Sequence, residues 1–279
     1  MTEPVDAEQM EITDTEFKTF SDFVYSYCGI NLHEGKKEMV RARVGKQMRL
    51  KGFGSFDDYF KFVLSDESGS EVVGLINAIS TNLTSFYRES RHFDFLTHEV
   101  IPELNRSRVS RRIRAWSAGC STGEEPYTLA MVFHEGLQAE LLRDFKILAT
   151  DISTRVLETA MRGVYPEERV QTIDPLLIHK YFQKGVSNQR GFYKAKDELQ
   201  KLVHFARLNL MKPFPMKGPF DVIFCRNVMI YFDQPSREQL VSRFFDFLAA
   251  GGYFFVGHSE SLTGVRHPFK YVGPSIYRK

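Results

Sequence analysis

Two adjacent glutamates lie in the segment SAGCSTGEEPY, residues 117–127, which reads as a turn from a strand into a helix. Gly119 and Gly123 would let the backbone turn sharply and approach a ligand closely, although glycines also occur in turns that bind nothing. A pyrophosphate needs the positive N-terminus of a helix, and Glu124 and Glu125 would repel it there. The spacing also differs from the dinucleotide and P-loop motifs. The segment therefore favours a ligand with a cationic end.

Asp151 follows the apolar stretch KILAT, residues 146–150. In nucleotide-binding α/β folds, an acidic residue at this position accepts hydrogen bonds from ribose hydroxyls. The alternative is that Asp151 only caps a helix beginning at Ser153. Together with the glutamates, a ribose is the better interpretation, and S-adenosylmethionine, which carries a ribose, a sulfonium and an ammonium, is the predicted cofactor. Asn209 and Leu210, after the strand-like LVHFARL, could contact the edge and face of its adenine.

A further group of polar residues follows the mostly apolar stretch FDVIFC, residues 220–225. Arg226 and Asn227 come directly after it, and a charge at the end of a buried strand, on the ligand-bearing edge of a parallel sheet, favours a functional role. Tyr231 is either part of this site or a core aromatic residue. The segment TNLTSFYRES, residues 81–90, would by composition be a solvated linker. Its polar residues include Asn82, Thr84 and Arg88.

The composition limits the classes of protein to which the chain can belong. Its 279 residues suffice for a large and a small domain, and 43% apolar with 26% charged residues is ordinary for a globular protein. A net charge of +2 does not favour nucleic acid or an anionic membrane as a partner. The sequence has no apolar run of membrane-spanning length, no secretion-signal pattern at its acidic start, and three widely spaced cysteines. We therefore expect a cytoplasmic protein.

The first hundred residues show helical periodicity. Apolar residues recur every three or four positions between a cap at Thr13 or Asp14 and Gly29. Further helices are expected at about 35–51, 55–64 and 70–80. The first of these is rich in Lys and Arg, which predicts either a docking surface for an acidic partner or a solvated face. The region reads as a small helical domain.

After residue 110 the pattern changes to alternating strands and helices. Strands are predicted within RRIRAWSAGC, DFKILATDI, FDVIFCRN and GGYFFVGH, with helices between them. This alternation is typical of a mostly parallel sheet with crossover helices, and the closing YVGPSIYRK could supply a late antiparallel strand. Residues 184–206 interrupt the alternation and read as a short antiparallel excursion around a polar turn.

Four separated motifs, TNLTSFYRE, WSAGCSTGEEPY, ATDIS and FDVIFCRNVMIYF, together resemble the chemoreceptor glutamate methyltransferases of bacterial chemotaxis, the CheR family. Tyr87 departs from the Phe that many members have. The resemblance implies an α/β fold with a small all-helical N-terminal domain (1–80), a linker and connecting helix (81–110), and a Rossmann-like class I methyltransferase domain (111–279). A small antiparallel β-subdomain would be inserted at about 184–206.

The resemblance also implies the chemistry. The cofactor S-adenosylmethionine would donate its methyl group to a glutamate side chain of a chemoreceptor, giving a γ-glutamyl methyl ester and S-adenosylhomocysteine. Glutamate is ionised at neutral pH, so neither a general base nor a metal is required, and Arg88 and Tyr231 would orient the carboxylate. The cofactor-binding residues that the resemblance implies are Asn82, Thr84, Arg88, Glu124, Asp151, Asn209, Leu210, Arg226 and Asn227.

The expected partners are the cytoplasmic domains of chemoreceptors. Some members of the family bind a receptor's C-terminal peptide through the β-subdomain, and the sequence leaves open whether this chain does so. Neither nucleic acid binding nor membrane insertion is expected. The rival interpretations are a methyltransferase for another carboxylate acceptor, a cofactor-binding regulatory module without turnover, and a nicotinamide dehydrogenase, which the acidic helix start disfavours.

Overall fold

The structure is a computed structural model that describes residues 11–106 and 112–279. The N-terminal region is helical, as its periodicity predicts, and the helices pack around one apolar core that includes Phe20, Val24 and Val44. The helices are α1 (Asp14–Cys28), α2 (Lys37–Leu50), α3 (Phe56–Ser65) and α4 (Ser70–Ile79).

The ends of α1 are set by local sequence. The Thr13 hydroxyl accepts a hydrogen bond from the Glu16 backbone N–H, and the Glu16 carboxylate accepts one from the Thr13 N–H. This reciprocal capping satisfies donors that the first turn leaves free. Gly29 ends the helix with a φ of 74°, in the left-handed region that favours glycine.

A connecting helix over residues 91–106 leads into the α/β domain. It consists of α5 (Arg91–Phe95), a π-helical turn (Leu96–Val100) and α6 (Ile101–Arg106). His92, Phe93 and Leu96 are buried on the face that packs against the sheet domain. The helix thereby fixes the segment 81–90, which precedes it, against the α/β domain.

The α/β domain contains a seven-stranded main sheet and a separate three-stranded sheet. The strands are β1 (Ile113–Ala118), β2 (Phe145–Asp151), β3 (Val164–Pro166), β4 (Phe182–Lys184), β5 (Phe192–Ala195), β6 (Val203–Arg207), β7 (Phe220–Cys225), β8 (Leu248–Val256), β9 (Lys270–Gly273) and β10 (Ile276–Arg278). The helices are α7 (Glu124–Gly136), α8 (Ala139–Leu142), α9 (Thr154–Arg162), α10 (Glu167–Val170), α11 (Pro175–Tyr181), α12 (Asp197–Gln200) and α13 (Gln234–Phe247).

The main sheet has the order β6–β2–β1–β7–β8–β10–β9. Its first five strands are parallel, and β10 pairs antiparallel with both β8 and β9. The chain runs outward from β1 through β2 to β6 and then crosses to β7 on the other side of β1. The order therefore reverses between β1 and β7, which is where an open α/β sheet binds ligands.

Both faces of the main sheet are buried. Ala115, Val222 and Phe224 contribute to the core on one face, while Trp116 and Ile223 contribute to the core on the other. This alternation follows the two-residue period of a strand. Because the sheet is covered by helices on both sides, its central strands read as continuous apolar runs.

The small sheet differs in extent from the predicted insert at 184–206. Its order is β3–β5–β4, with β5 antiparallel to both neighbours. The segment Val203–Arg207 does not belong to it: β6 pairs parallel with β2 at the edge of the main sheet. The small antiparallel sheet therefore begins at Val164, earlier in the chain than predicted, and ends at Ala195, sooner than predicted. Among the described residues, no helix combines the length and apolar character needed to cross a membrane.

Candidate cofactor and acceptor site

The carboxyl ends of β1, β2 and β7 open into a cavity where the strand order reverses. Its empty volume, part of which is open solvent, is about 1200 Å³. All predicted site residues except Glu124 line it: Asn82, Thr84, Arg88, Asp151, Asn209, Leu210, Arg226, Asn227 and Tyr231. The structure therefore brings together predicted residues from three of the four motifs and from the segment after LVHFARL.

Glu125, rather than Glu124, forms part of the cavity wall. Successive residues of an α-helix point about 100° apart, so the two adjacent carboxylates face different surroundings. The Glu124 carboxylate is fully buried and accepts hydrogen bonds from Arg169 Nη1 and Thr122 Oγ1, both at 2.6 Å. Glu125 therefore faces the cavity, whereas the carboxylate of the predicted residue Glu124 faces Arg169.

Arg226 is held by partners on three sides. Its Nε donates to Glu125 Oε2 at 2.7 Å, and its Nη1 donates to the backbone carbonyl of Arg88 at 2.7 Å. Nη1 also lies 3.1 Å from His92 Nδ1, and the guanidinium carbon is 5.2 Å from the centre of the Phe93 ring. Only 2% of the side chain is exposed, so its charge depends on these partners.

Asp151 lies at the end of β2, where the sequence predicts a ribose-binding acid. Its Oδ2 accepts from the Ser121 backbone N–H and its Oδ1 from the Ser153 backbone N–H, both at 2.9 Å. The bond from Ser153 is the contact expected if Asp151 caps the helix that begins there, which was the alternative interpretation. A carboxylate oxygen has two acceptor positions, so these bonds leave capacity for ligand hydroxyls. Burial raises the pKa of the Asp151 carboxyl.

The segment 81–90 lies against the cavity with its backbone anchored. Three consecutive carbonyls accept side-chain donors: Asn82 from Ser121 Oγ at 2.9 Å, Leu83 from Arg88 Nη1 at 2.6 Å, and Thr84 from Arg169 Nη1 at 3.5 Å. The segment is therefore part of the site wall and not a solvated linker. The Asn82 Nδ2 is a buried donor without a hydrogen-bond partner in the described chain.

The N-terminal helical domain completes the cavity. Asn209 Nδ2 donates to the Tyr27 carbonyl at 2.6 Å, and the Asn31 N–H donates to the Tyr231 carbonyl at 2.9 Å. Residues of this domain that line the cavity include Cys28, Ile30, Leu32, Met39 and Ile79. Sequence reasoning missed this contribution, because nothing local marks Tyr27 as a partner of a residue 182 positions away.

A cluster behind the cavity joins the segment 81–90 to β7 and β8. Glu89 accepts from Asn227 Nδ2 at 3.3 Å and from the His258 backbone N–H at 3.2 Å, and its Oε2 lies 3.6 Å from His92 Nδ1. Glu89, His92 and His258 are close enough to share a metal ion, but the Arg226 guanidinium reaches the same atoms. The protein thus supplies positive charge there itself. Burial and the nearby Arg226 lower the pKa of His92 to about 4.

The fold and this site define a class I methyltransferase, with a parallel sheet, a cavity at its switch point and a final antiparallel strand. Two family models match the chain: "CheR methyltransferase, all-alpha domain" over residues 15–80 and "CheR methyltransferase, SAM binding domain" over residues 82–277. The chain belongs to the CheR methyltransferase family.

Relatives match over nearly their full length. A "Chemotaxis protein methyltransferase" of Borreliella burgdorferi is 40% identical over 275 residues, covering 97% of this chain and 96% of the relative. Proteins with the same name from Klebsiella aerogenes and Escherichia coli are 38% and 37% identical, each over 97% of this chain and over 91% and 92% of their own lengths. The predicted family, fold class and cofactor are confirmed, and the chain is an S-adenosylmethionine-dependent methyltransferase.

The residues of the cavity fit this cofactor. Glu125 and Asp151 offer carboxylates to a cationic, ribose-bearing molecule, and the unpartnered Asn82 Nδ2 offers a donor. A buried polar group without a partner is costly, which a ligand acceptor would relieve. Asn209, by contrast, already uses its amide nitrogen on Tyr27 and its oxygen on the Met211 N–H, so its side chain has less capacity for an adenine than the sequence predicts.

Proposed function

We propose that this chain methylates glutamate side chains of chemoreceptors, forming γ-glutamyl methyl esters during sensory adaptation. The observation that carries the proposal is one cavity lined by Glu125 and Asp151 together with Arg88 and Tyr231. The first two groups suit a cationic cofactor, and the second two suit an anionic acceptor. The similarity to proteins named "Chemotaxis protein methyltransferase" supports a methyl acceptor that acts in chemotaxis.

The cofactor, when bound, supplies a methyl group on a positively charged sulfur. Within the proposal, Asp151 holds the ribose, and Glu125, kept in place by Arg226, holds the methionine end. Asn82, Thr84 and Asn227 line the same wall. Asn209 and Leu210 border the adenine, with Asn209 acting mainly by fixing the helical domain at Tyr27.

Arg88 and Tyr231 would orient the acceptor carboxylate. One Arg88 nitrogen, Nη1, is bound to the Leu83 carbonyl, and a guanidinium has further donors. The acceptor is already ionised at neutral pH and needs no base. Holding the reacting groups in line can contribute about 7–11 kcal/mol at best. A tight ion pair would weaken the nucleophile, so we assign both residues to orientation.

The test is methylation of receptor-bearing membranes with radiolabelled S-adenosylmethionine. Label on a carboxylate ester is released by alkali as volatile methanol, whereas label on nitrogen is retained. Receptors whose methylation-site glutamates are replaced by alanine serve as controls. We expect alkali-labile label on wild-type receptors alone. Stable label, or label on the alanine receptors, would contradict a glutamate ester.

Receptor binding through α2 is a further part of the proposal. Several of its cations are engaged within the chain: Lys37 with Asp14, Arg41 with Glu38, and Arg43 with the Ile79 carbonyl. Lys46 and Arg49 form no ion pair with other described residues. These two cations are the ones of α2 available to an acidic receptor helix, so replacing them should lower receptor methylation more than replacing Lys37.

The small sheet is proposed to bind a receptor's C-terminal peptide. Its edge strands β3 and β4 flank β5, and an open edge can accept an extended peptide through backbone hydrogen bonds. Lys196 is engaged with the carbonyls of His179 and Lys180, which leaves Arg190 and Lys194 for an acidic terminus. Titration with free receptor C-terminal peptides tests this, and no binding with intact receptor methylation would leave the sheet as a structural flap.

The reaction is proposed to take place in the cytoplasm, where the receptor's methylation helices lie. Cys28, Cys120 and Cys225 are buried and free, as is usual for thiols in a reducing compartment. Fractionation of cells with an antibody against the chain would test this location.

A further inference from the structure

Leu83 is an apolar side chain placed in water at the cavity. It is 78% exposed and lines the cavity between Asn82 and Thr84. Single exposed leucines are common and need no explanation. Leu83 differs because, among the large apolar side chains that are mainly exposed in the described chain, it alone lines the cavity.

The exposure of Leu83 is fixed by its backbone. The carbonyls of Asn82, Leu83 and Thr84 are each bound by a side-chain donor, from Ser121, Arg88 and Arg169 respectively. Two of these donors come from the sheet domain. A loop anchored at three consecutive carbonyls cannot easily rotate the leucine inward, so the side chain faces water in the absence of a partner.

Leu83 is also tied to the group that we assign to the acceptor. Arg88 Nη1 donates to the Leu83 carbonyl at 2.6 Å, which keeps the guanidinium and the leucine in one unit. An acceptor whose carboxylate reaches Arg88 would therefore have its neighbouring residues close to the Leu83 backbone. An apolar neighbour would bury the leucine, which is favourable, whereas a charged one would be desolvated against it.

From these contacts we propose that Leu83 is a specificity-determining contact for the acceptor protein, which packs an apolar side chain flanking the methylated glutamate against it. The inference rests on the proposed function, because it takes the acceptor to be a polypeptide glutamate. It adds one requirement for the acceptor beyond its carboxylate: an apolar residue beside the methylated glutamate.

Steady-state kinetics with a purified receptor cytoplasmic fragment test the contact. We expect Leu83→Ser to raise the KM for the receptor by about tenfold, the factor that loss of a partly buried leucine contact gives, with S-adenosylhomocysteine affinity within about threefold of wild type. Leu64→Ser is the matched control, since Leu64 is 54% exposed on α3 and does not line the cavity. An unchanged receptor KM in Leu83→Ser would overturn the inference. So would a tenfold loss of S-adenosylhomocysteine affinity, which would assign Leu83 to the cofactor wall.

A double-mutant cycle identifies the partner side chain. The apolar residue flanking the methylated glutamate in the receptor is replaced by Asn, and both receptors are assayed with wild type and Leu83→Ser. We expect the receptor change to raise KM with the wild-type enzyme and to have little effect with the variant, since contacting residues are not additive. Equal effects on both enzymes would overturn the contact. A wild-type enzyme that methylates no receptor would instead refute the proposed function, and the inference with it.

Discussion

Glu125 and Arg226 are joined by a hydrogen bond of 2.7 Å across 101 residues of sequence. The pair links the first turn of α7 to the end of β7, and Ser117 Oγ donates to the other carboxylate oxygen at 2.7 Å. Both side chains are nearly buried, with 10% and 2% exposed. Removing one charge of such a pair leaves the other uncompensated, so the pair keeps the cavity wall in one arrangement.

The adjacent glutamates should differ in their effect on cofactor binding. We expect Glu125→Gln to weaken S-adenosylhomocysteine binding about 10- to 100-fold, the loss typical of hydrogen bonds to a charged group. Glu124→Gln should leave affinity within about threefold and lower the melting temperature, because it removes the buried partner of Arg169. Calorimetric titration and thermal melts of both variants measure this. Loss of binding in Glu124→Gln alone would return the cofactor role to Glu124.

Replacing Asn82 should weaken cofactor binding without lowering the melting temperature. Because its Nδ2 has no partner in the described chain, Asn82→Ala removes an unsatisfied buried donor and should leave the melting temperature of the free protein equal or higher. The same change should weaken S-adenosylhomocysteine binding by about tenfold if a ligand atom completes the bond. A lower melting temperature with unchanged affinity would show that the amide is structural.

Arg88 should matter for turnover. We expect Arg88→Ala to lower kcat for receptor methylation by at least about 100-fold, since orientation contributes strongly to catalysis. The melting temperature should stay near that of wild type, because Arg226 binds the Arg88 backbone carbonyl, which the change retains. Arg91→Ala, at an exposed position on α5, is the control. Full activity of Arg88→Ala would refute its assignment to the acceptor.

His92 should make stability depend on pH. Its pKa is lowered from 6.5 to about 4 by burial and by Arg226, so the unfolded chain takes up a proton that the folded protein does not. Stability is therefore lost as pH falls from about 6.5 toward about 4 and levels off below that. Between pH 7 and 5 the loss should be about 2 kcal/mol.

The His92→Gln variant isolates this effect. Buried acids with raised pKa values, such as Asp151 and Glu260, act in the opposite direction in both proteins. Urea unfolding at pH 7 and pH 5 should show a larger decrease in the free energy of unfolding for wild type than for His92→Gln. Parallel decreases would mean that His92 does not carry the effect.

The fold could be predicted to the extent that its signals are local. The cap at Thr13, one of the two predicted candidates, and the predicted stop at Gly29 depend on contacts within four positions. Residues 203–206 were assigned to the wrong sheet because an edge strand alternates in the same way in either sheet. Its partner β2 is chosen by long-range pairing, which periodicity does not encode.

The candidate site shows the same division. Strand ends predicted that Asp151, Arg226 and Asn227 lie together, and all three line the cavity, because the carboxyl edge of a parallel sheet is a defined place. The choice between Glu124 and Glu125 needed the rotation of α7 against Arg169, and the role of Tyr27 needed the docking of another domain. Neither follows from residue types and spacing.

The docking of the helical domain at Tyr27 and Asn31 has a consequence for how the protein could be divided. The two family models meet between residues 80 and 82, yet the cavity is lined on both sides of that junction, by Cys28 and Ile79 as well as by Asp151 and Arg226. A fragment with only residues 82–277 would lack one wall of its own binding site. The unit that recombination could transfer intact to another protein is therefore the pair of domains.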